Sequence, residues 1–157
     1  MYKPNNVVAL VLALSLMLAT GAADARFYRS MTAQQITQEV MLWLMSGMSL
    51  DEIAKSTHQT GLKSEQVASS LIQSGQNPAA VVTALSKVDP EAAILVTVEA
   101  LTLKPAQAAE ITAAAIAASP KQSREIIQEA LTVPGVNPTD ILSATAAGAS
   151  EVPGEGH

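Results

Sequence analysis

The chain has 157 residues, 48% of them hydrophobic, with a formal net charge of −5, no cysteine and only 3% aromatic residues. An acidic chain of this kind is poorly suited to nucleic acid or to an anionic membrane surface, both of which recruit clustered Lys and Arg. Without cysteine there are no disulfides and no thiolate metal sites, so stability has to come from packing.

The first element in chain order is an export signal. Lys3 stands in a short polar leader, residues 7–19 are apolar almost without interruption, and Thr20 and Gly21 lead to Ala23-Asp24-Ala25. A positive leader, a short apolar core and a small-x-small site describe a secretory signal peptide, cut after Ala25 with Ala23 and Ala25 as its recognition residues. The core falls short of the roughly 20 residues a spanning helix needs. An uncleaved signal anchor is the competing reading. Cleavage removes one base and one acid, Lys3 and Asp24, so the net charge stays at −5. The expected division is a signal peptide at 1–25, an α-helical domain at 26–147 and a disordered tail at 148–157, poor in apolar residues.

The aromatic residues end at Trp43. The core is therefore expected to consist of Ala, Val, Ile and Leu, which suits closely approaching helices better than packed sheets. Thr32 is placed to cap a first helix that stops at Gly47. Ser49 with Glu52 forms a capping box for a second, ending before Gly61. Ser64 is the expected cap of a third, with Gly75 as its stop.

Beyond Gly75 the prolines take over. Asn77-Pro78, Asp89-Pro90, Lys104-Pro105, Ser119-Pro120 and Asn137-Pro138 recur at uneven intervals, each long enough for one short helix and its turn. Pro is favoured at the first helical position and Asn, Asp or Ser just before it, so each pair predicts a helix start. The result is an all-α chain of about eight short helices. The segments after Pro90 and Pro105 are apolar nearly all round, as in helices packed on two sides. Residues 94–98 (ILVTV) could pass for a buried strand, but the helix start at Asp89-Pro90-Glu91 outweighs that pattern. A small α-solenoid of Pro-initiated repeats is one expectation. The irregular spacing and weak identity between units make an orthogonal bundle nearly as good.

Residues 49–72 (SLDEIAKSTHQTGLKSEQVASSLI) resemble the helix-turn-helix of DNA-binding regulators, over that span alone. The resemblance implies a recognition helix in the second half. That helix, however, carries no Lys or Arg to meet phosphates or bases, and Thr57-His58-Gln59 is expected to lengthen the connection. No nucleic acid partner is therefore expected. His58 and His157 are the only histidines and lack ligand spacing for a metal. Asp51 and Glu52 are explained by the field of a helix N-terminus, and Glu125 by an ion pair with Lys121. No catalytic, cofactor-binding or metal residue is assigned, and no enzymatic activity is expected.

The remaining feature is Met41, Trp43, Met45 and Met48, too many large apolar residues for one helix face. Ile36, Val40, Trp43 and Leu44 can form the buried stripe, leaving methionines at the rim as an adaptable contact for a partner or ligand. The sequence thus predicts an exported, non-enzymatic interaction or assembly module acting in the periplasm or outside the cell. It would be a scaffold, envelope or extracellular structural protein with a protein partner or copies of itself, and no membrane contact after cleavage. A carrier of a small apolar ligand or lipid held between helices near Trp43 is the alternative.

Overall fold

The computed structural model describes residues 31–149, and every regular element in that span is helical. The expected signal peptide and residues 150–157 of the expected tail lie outside the described residues. The α-helices are α1 (Ala33–Met45), α2 (Leu50–Thr60), α3 (Ser64–Gln73), α4 (Pro78–Val88), α5 (Ala93–Leu103), α6 (Ala108–Ala118), α7 (Ser123–Ala130) and α8 (Pro138–Ala149). The last runs through Gly148 and Ala149, into the start of the segment assigned to the tail. Residues 94–98 are helical, within α5.

The helix ends follow the sequence signals at most junctions. Thr32 and Ser49 both close reciprocal capping boxes, with Gln35 and Glu52 respectively. Gly47, Gly61 and Gly75 take φ of 80°, 70° and 96°, the left-handed conformation that ends a helix and that Gly adopts without a Cβ clash. Ser64 departs from expectation: it is the first residue of α3 and is buried, while Lys63 holds the cap position without a side-chain bond.

The prolines divide into two kinds. At Asn77-Pro78 and Asn137-Pro138 the asparagine caps as expected, accepting from the N–H of Ala80 at 2.9 Å and of Thr139 at 3.0 Å. Pro90, Pro105 and Pro120 instead open single 3-10 turns that precede α5, α6 and α7. The residue before each, Asp89, Lys104 or Ser119, also closes the preceding helix. Its N–H still bonds back to Leu85, Ala100 or Ala115, at φ of −129°, −138° and −135°. Neither Asp89 nor Ser119 makes a side-chain cap, and the Ser119 hydroxyl donates instead to the Ser86 carbonyl at 3.4 Å.

The helices form two rows. Each packs on the second one along: α1 on α3, α3 on α5 and α5 on α7 in one row, α2 on α4, α4 on α6 and α6 on α8 in the other. Successive helices from α2 to α7 also touch, which joins the rows. This is the architecture of an α-solenoid, in which each unit meets only its near neighbours. Its repeating unit is a pair of helices.

A single register runs through all eight helices. The fourth residue of each is β-branched and no more than 2% exposed: Ile36, Ile53, Val67, Val81, Val96, Ile111, Ile126 and Ile141. Burying each of these contributes about 1.5–3 kcal/mol. One turn further, the eighth residue is Val40, Thr57, Leu71, Leu85, Ala100, Ala115 or Ala130 in α1 to α7, all buried. The fifth and seventh residues flank this stripe on opposite sides, since each step turns the helix by about 100°. Thr37, fifth in α1, touches Ser70, seventh in α3, through hydroxyls 3.0 Å apart. The side carrying the fifth residue therefore looks forward along the row, and the side carrying the seventh looks back.

Candidate interaction surface

α1 begins at its capping box and turns Ile36 and Val40 into the core, with Trp43 and Leu44 half-buried beside them. That stripe occupies one side of the helix. Met41, Leu42 and Met45 consequently fall on the other, at 46%, 46% and 83% exposure. The backbone then reverses at Gly47: the Met48 N–H bonds back to the Trp43 carbonyl at 3.1 Å, and Met48 packs against the core. The four sequence-predicted contact residues thus separate into an outward pair, Met41 and Met45, and an inward pair, Trp43 and Met48. Leu42 joins the outward pair. Its place one turn before Met45, at the i, i+3 spacing that shares a helix face, was the available signal.

Three more large apolar side chains are exposed. Leu95 projects from the first turn of α5, while Leu131 follows α7 and Leu142 lies on α8, at 44% and 58% exposure. Leu131 and Leu142 stand at the far end of the array from α1. Sequence reasoning missed them because they sit in short segments dominated by small and polar residues.

Two clefts lie on the described surface. The larger, about 650 Å³, lies between α1 and α3 and reaches Glu99 on α5. It is lined by amides and hydroxyls, including Gln34, Gln38, Thr37, Gln66 and Ser69. The smaller, about 490 Å³, joins His58, Gly61, Leu62, Lys63 and Asp89. There His58 is 59% exposed at the end of α2, and its Nδ1 is 4.0 Å from Asp89 Oδ2. Trp43 lines neither cleft.

The titratable groups are placed structurally. Burial raises the pKa of Glu39 from its usual value, against an opposing pull from the Trp43 indole. Glu52 is lowered by the Ser49 backbone N–H and then by its hydroxyl, as the capping box demands. Among the described residues no group of three His, Asp or Glu could hold a metal ion. The Lys121–Glu125 ion pair is not formed: Lys121 lies in the 3-10 turn before α7, so the two do not share one helix face.

The segment resembling a helix-turn-helix forms α2 and α3. Thr57-His58-Gln59 extends α2 rather than the connection, which is only Gly61-Leu62-Lys63. The second helix is an interior one, packed on α1, α4 and α5 with Val67, Ala68, Leu71 and Ile72 buried. Its outward residues, Glu65, Gln66, Ser69 and Gln73, present no cation. Among the described residues no helix is long and apolar enough to cross a membrane. Compared with known protein families, curated proteins and solved structures, the chain matches none.

Proposed function

We propose that this chain is an exported, non-enzymatic interaction or assembly module, a scaffold or structural component of the cell envelope or the extracellular space. The observation that carries the reading is the uneven finish of the array. Solenoids normally close with polar end units that keep their stacking faces dry inside and wet outside. Here the two terminal regions expose large aliphatic side chains, Met41, Leu42 and Met45 at one end and Leu131 and Leu142 at the other. Exposed apolar surface at the ends of a stacking architecture suits contact with further protein. The composition of residues 1–25 supplies the export half of the proposal.

The test is mild chemical cross-linking in the intact host, followed by purification from the envelope and the medium. The expected result is a chain that begins at Arg26 and is recovered in cross-linked species larger than itself. Recovery from the cytoplasm with Met1 still present, or solely as an uncross-linked single chain, overturns the reading.

A further inference from the structure

The sulfur of this chain is gathered at one end of the array. Of the six methionines, Met1 and Met17 fall within residues 1–25, and Met31, Met41, Met45 and Met48 fall in and beside α1. None occurs from Ser49 to His157, and there is no cysteine. The other exposed large aliphatic side chains, Leu42, Leu95, Leu131 and Leu142, carry no sulfur.

The fold then sorts these thioethers by access. Burial of Ile36 and Val40 turns Met41 and Met45 away from the core, at 46% and 83% exposure, and their i, i+4 spacing puts both on one helix face. Met45 is the most exposed large apolar side chain among the described residues. Met31 and Met48 are partly buried and pack against the core, Met48 through the reversal that bonds its N–H to the Trp43 carbonyl. With no thiol to compete, a thioether is the side-chain group a hydroperoxide attacks most readily, and the rate follows access.

We propose that Met45 and Met41 are modification sites, converted to methionine sulfoxide by a hydroperoxide, and that the conversion disables the α1 face as a protein contact. With hydrogen peroxide, the sulfur lone pair attacks one oxygen, so that an S–O bond forms as the O–O bond breaks. The sulfur gives up two electrons, and the peroxide is reduced to water. Each product side chain carries a strongly polar S–O group on a face that was apolar, a change that disrupts methionine-rich contacts. A methionine sulfoxide reductase reverses it. Leu131 and Leu142 hold no oxidisable atom, so an oxidant acts on the α1 end and spares the far one. The effect on contact rests on the interaction-module reading, whereas the modification does not.

The test has two arms. In the first, the folded chain recovered after export is exposed to hydrogen peroxide for timed intervals and its peptides are mapped by mass spectrometry. Sulfoxide is expected at Met45 at least about 10-fold faster than at Met48, with Met41 between them, and the rates converge in urea. If Met48 oxidises in the folded chain as fast as Met45, the assignment of the sites falls. In the second arm, cross-linking in the intact host is carried out with and without prior peroxide. Three forms are used: unaltered, Met48→Leu, and Met41→Leu with Met45→Leu. Circular dichroism checks that each is folded, and each is compared with its own untreated sample. Peroxide is expected to lower the yield of larger species several-fold for the unaltered chain and for Met48→Leu, but not for the double variant. If all three forms lose the same fraction, or none loses any, the α1 face is not the element the oxidant disables, and that half of the proposal is overturned. If the untreated, unaltered chain gives no larger species, the interaction-module reading falls and the effect on contact falls with it, while the peptide map still decides the modification.

Discussion

Thr97 and Thr112 hold the same place in consecutive helices, yet only one satisfies its hydroxyl. Both are the fifth residue of their helix and both are buried. The Thr97 hydroxyl donates to the Ala93 carbonyl at 2.6 Å, a bond back along its own helix. Thr112 Oγ1 is buried without a partner among the described residues. A buried hydroxyl left unpaired costs about 1–3 kcal/mol, whereas a methyl of the same shape costs nothing there. Thr112→Val is therefore expected to raise stability by about 1 kcal/mol, and Thr97→Val to leave it unchanged or lower it slightly. Urea unfolding of both variants checks this; an equal response at the two sites would contradict it.

The eighth residue sets how closely the two rows approach. Leu71 and Leu85 fill that place in α3 and α4, and Ala100, Ala115 and Ala130 fill it in α5, α6 and α7, all buried. Enlarging the small members forces the rows apart, at about 1–3 kcal/mol for Ala115→Leu. Shortening the large ones leaves a cavity, at about 2–5 kcal/mol for Leu85→Ala. Both variants are expected to lower the denaturation midpoint. A neutral Ala115→Leu would show that the rows are not in contact at α6.

Much of this arrangement was readable in advance, and what was not has one physical cause. The capping boxes, the glycine stops and the eight helices are local events, written in a few adjacent residues each. The register is different, because it depends on where each helix begins. From α4 onward the helices begin at Pro78, Ala93, Ala108, Ser123 and Pro138, an even spacing without exception. The prolines obscure this: Pro78 and Pro138 are the first residues of their helices, but Pro90, Pro105 and Pro120 each stand a full 3-10 turn ahead of theirs. Reading proline to proline therefore gives a short step, two equal ones and a long step, an irregular series generated by a regular one. The ladder from Ile36 to Ile141 becomes visible only after the 3-10 turns are separated from the helices. The contact surface was half legible for a related reason. Helical phase placed Ile36 and Val40 inward, but the fold of Met48 back onto the core depends on the reversal at Gly47.

The caps give a pair of changes with opposite sign. Ser49 accepts from the Glu52 N–H at 3.3 Å, and Ser49→Ala is expected to cost about 1 kcal/mol. Lys63 occupies the cap of α3 in extended conformation, with φ −71° and ψ 113°, but makes no capping bond. An Asp at that position supplies the missing acceptor and favours the helix dipole, so Lys63→Asp is expected to gain about 1 kcal/mol. Thermal unfolding measures both. A Lys63→Asp variant less stable than the unaltered chain would show that the lysine makes a contact worth more than a cap.

Glu39 and Glu52 should pull the pH dependence of stability in opposite directions. Burial raises the folded pKa of Glu39 above its unfolded value of 4.5. Its contribution is therefore full below that value and is lost as pH rises through the raised folded pKa. Glu52 is lowered from 4.5 by the Ser49 backbone and hydroxyl. Its contribution is present above the unfolded value and disappears as pH falls through the lowered folded one. Glutamine is nearly isosteric at both sites and can still serve in a capping box, so it isolates the charge. At neutral pH Glu39→Gln is expected to be more stable than the unaltered chain, because it no longer holds a desolvated carboxylate, and the difference should close in acid. Glu52→Gln is expected to be less stable at neutral pH, and it too should converge on the unaltered chain in acid. Denaturant midpoints of the three proteins between about pH 3 and pH 8 decide the matter. If Glu39→Gln is the less stable at neutral pH, the indole of Trp43 outweighs burial, and the order of the two causes at Glu39 must be reversed.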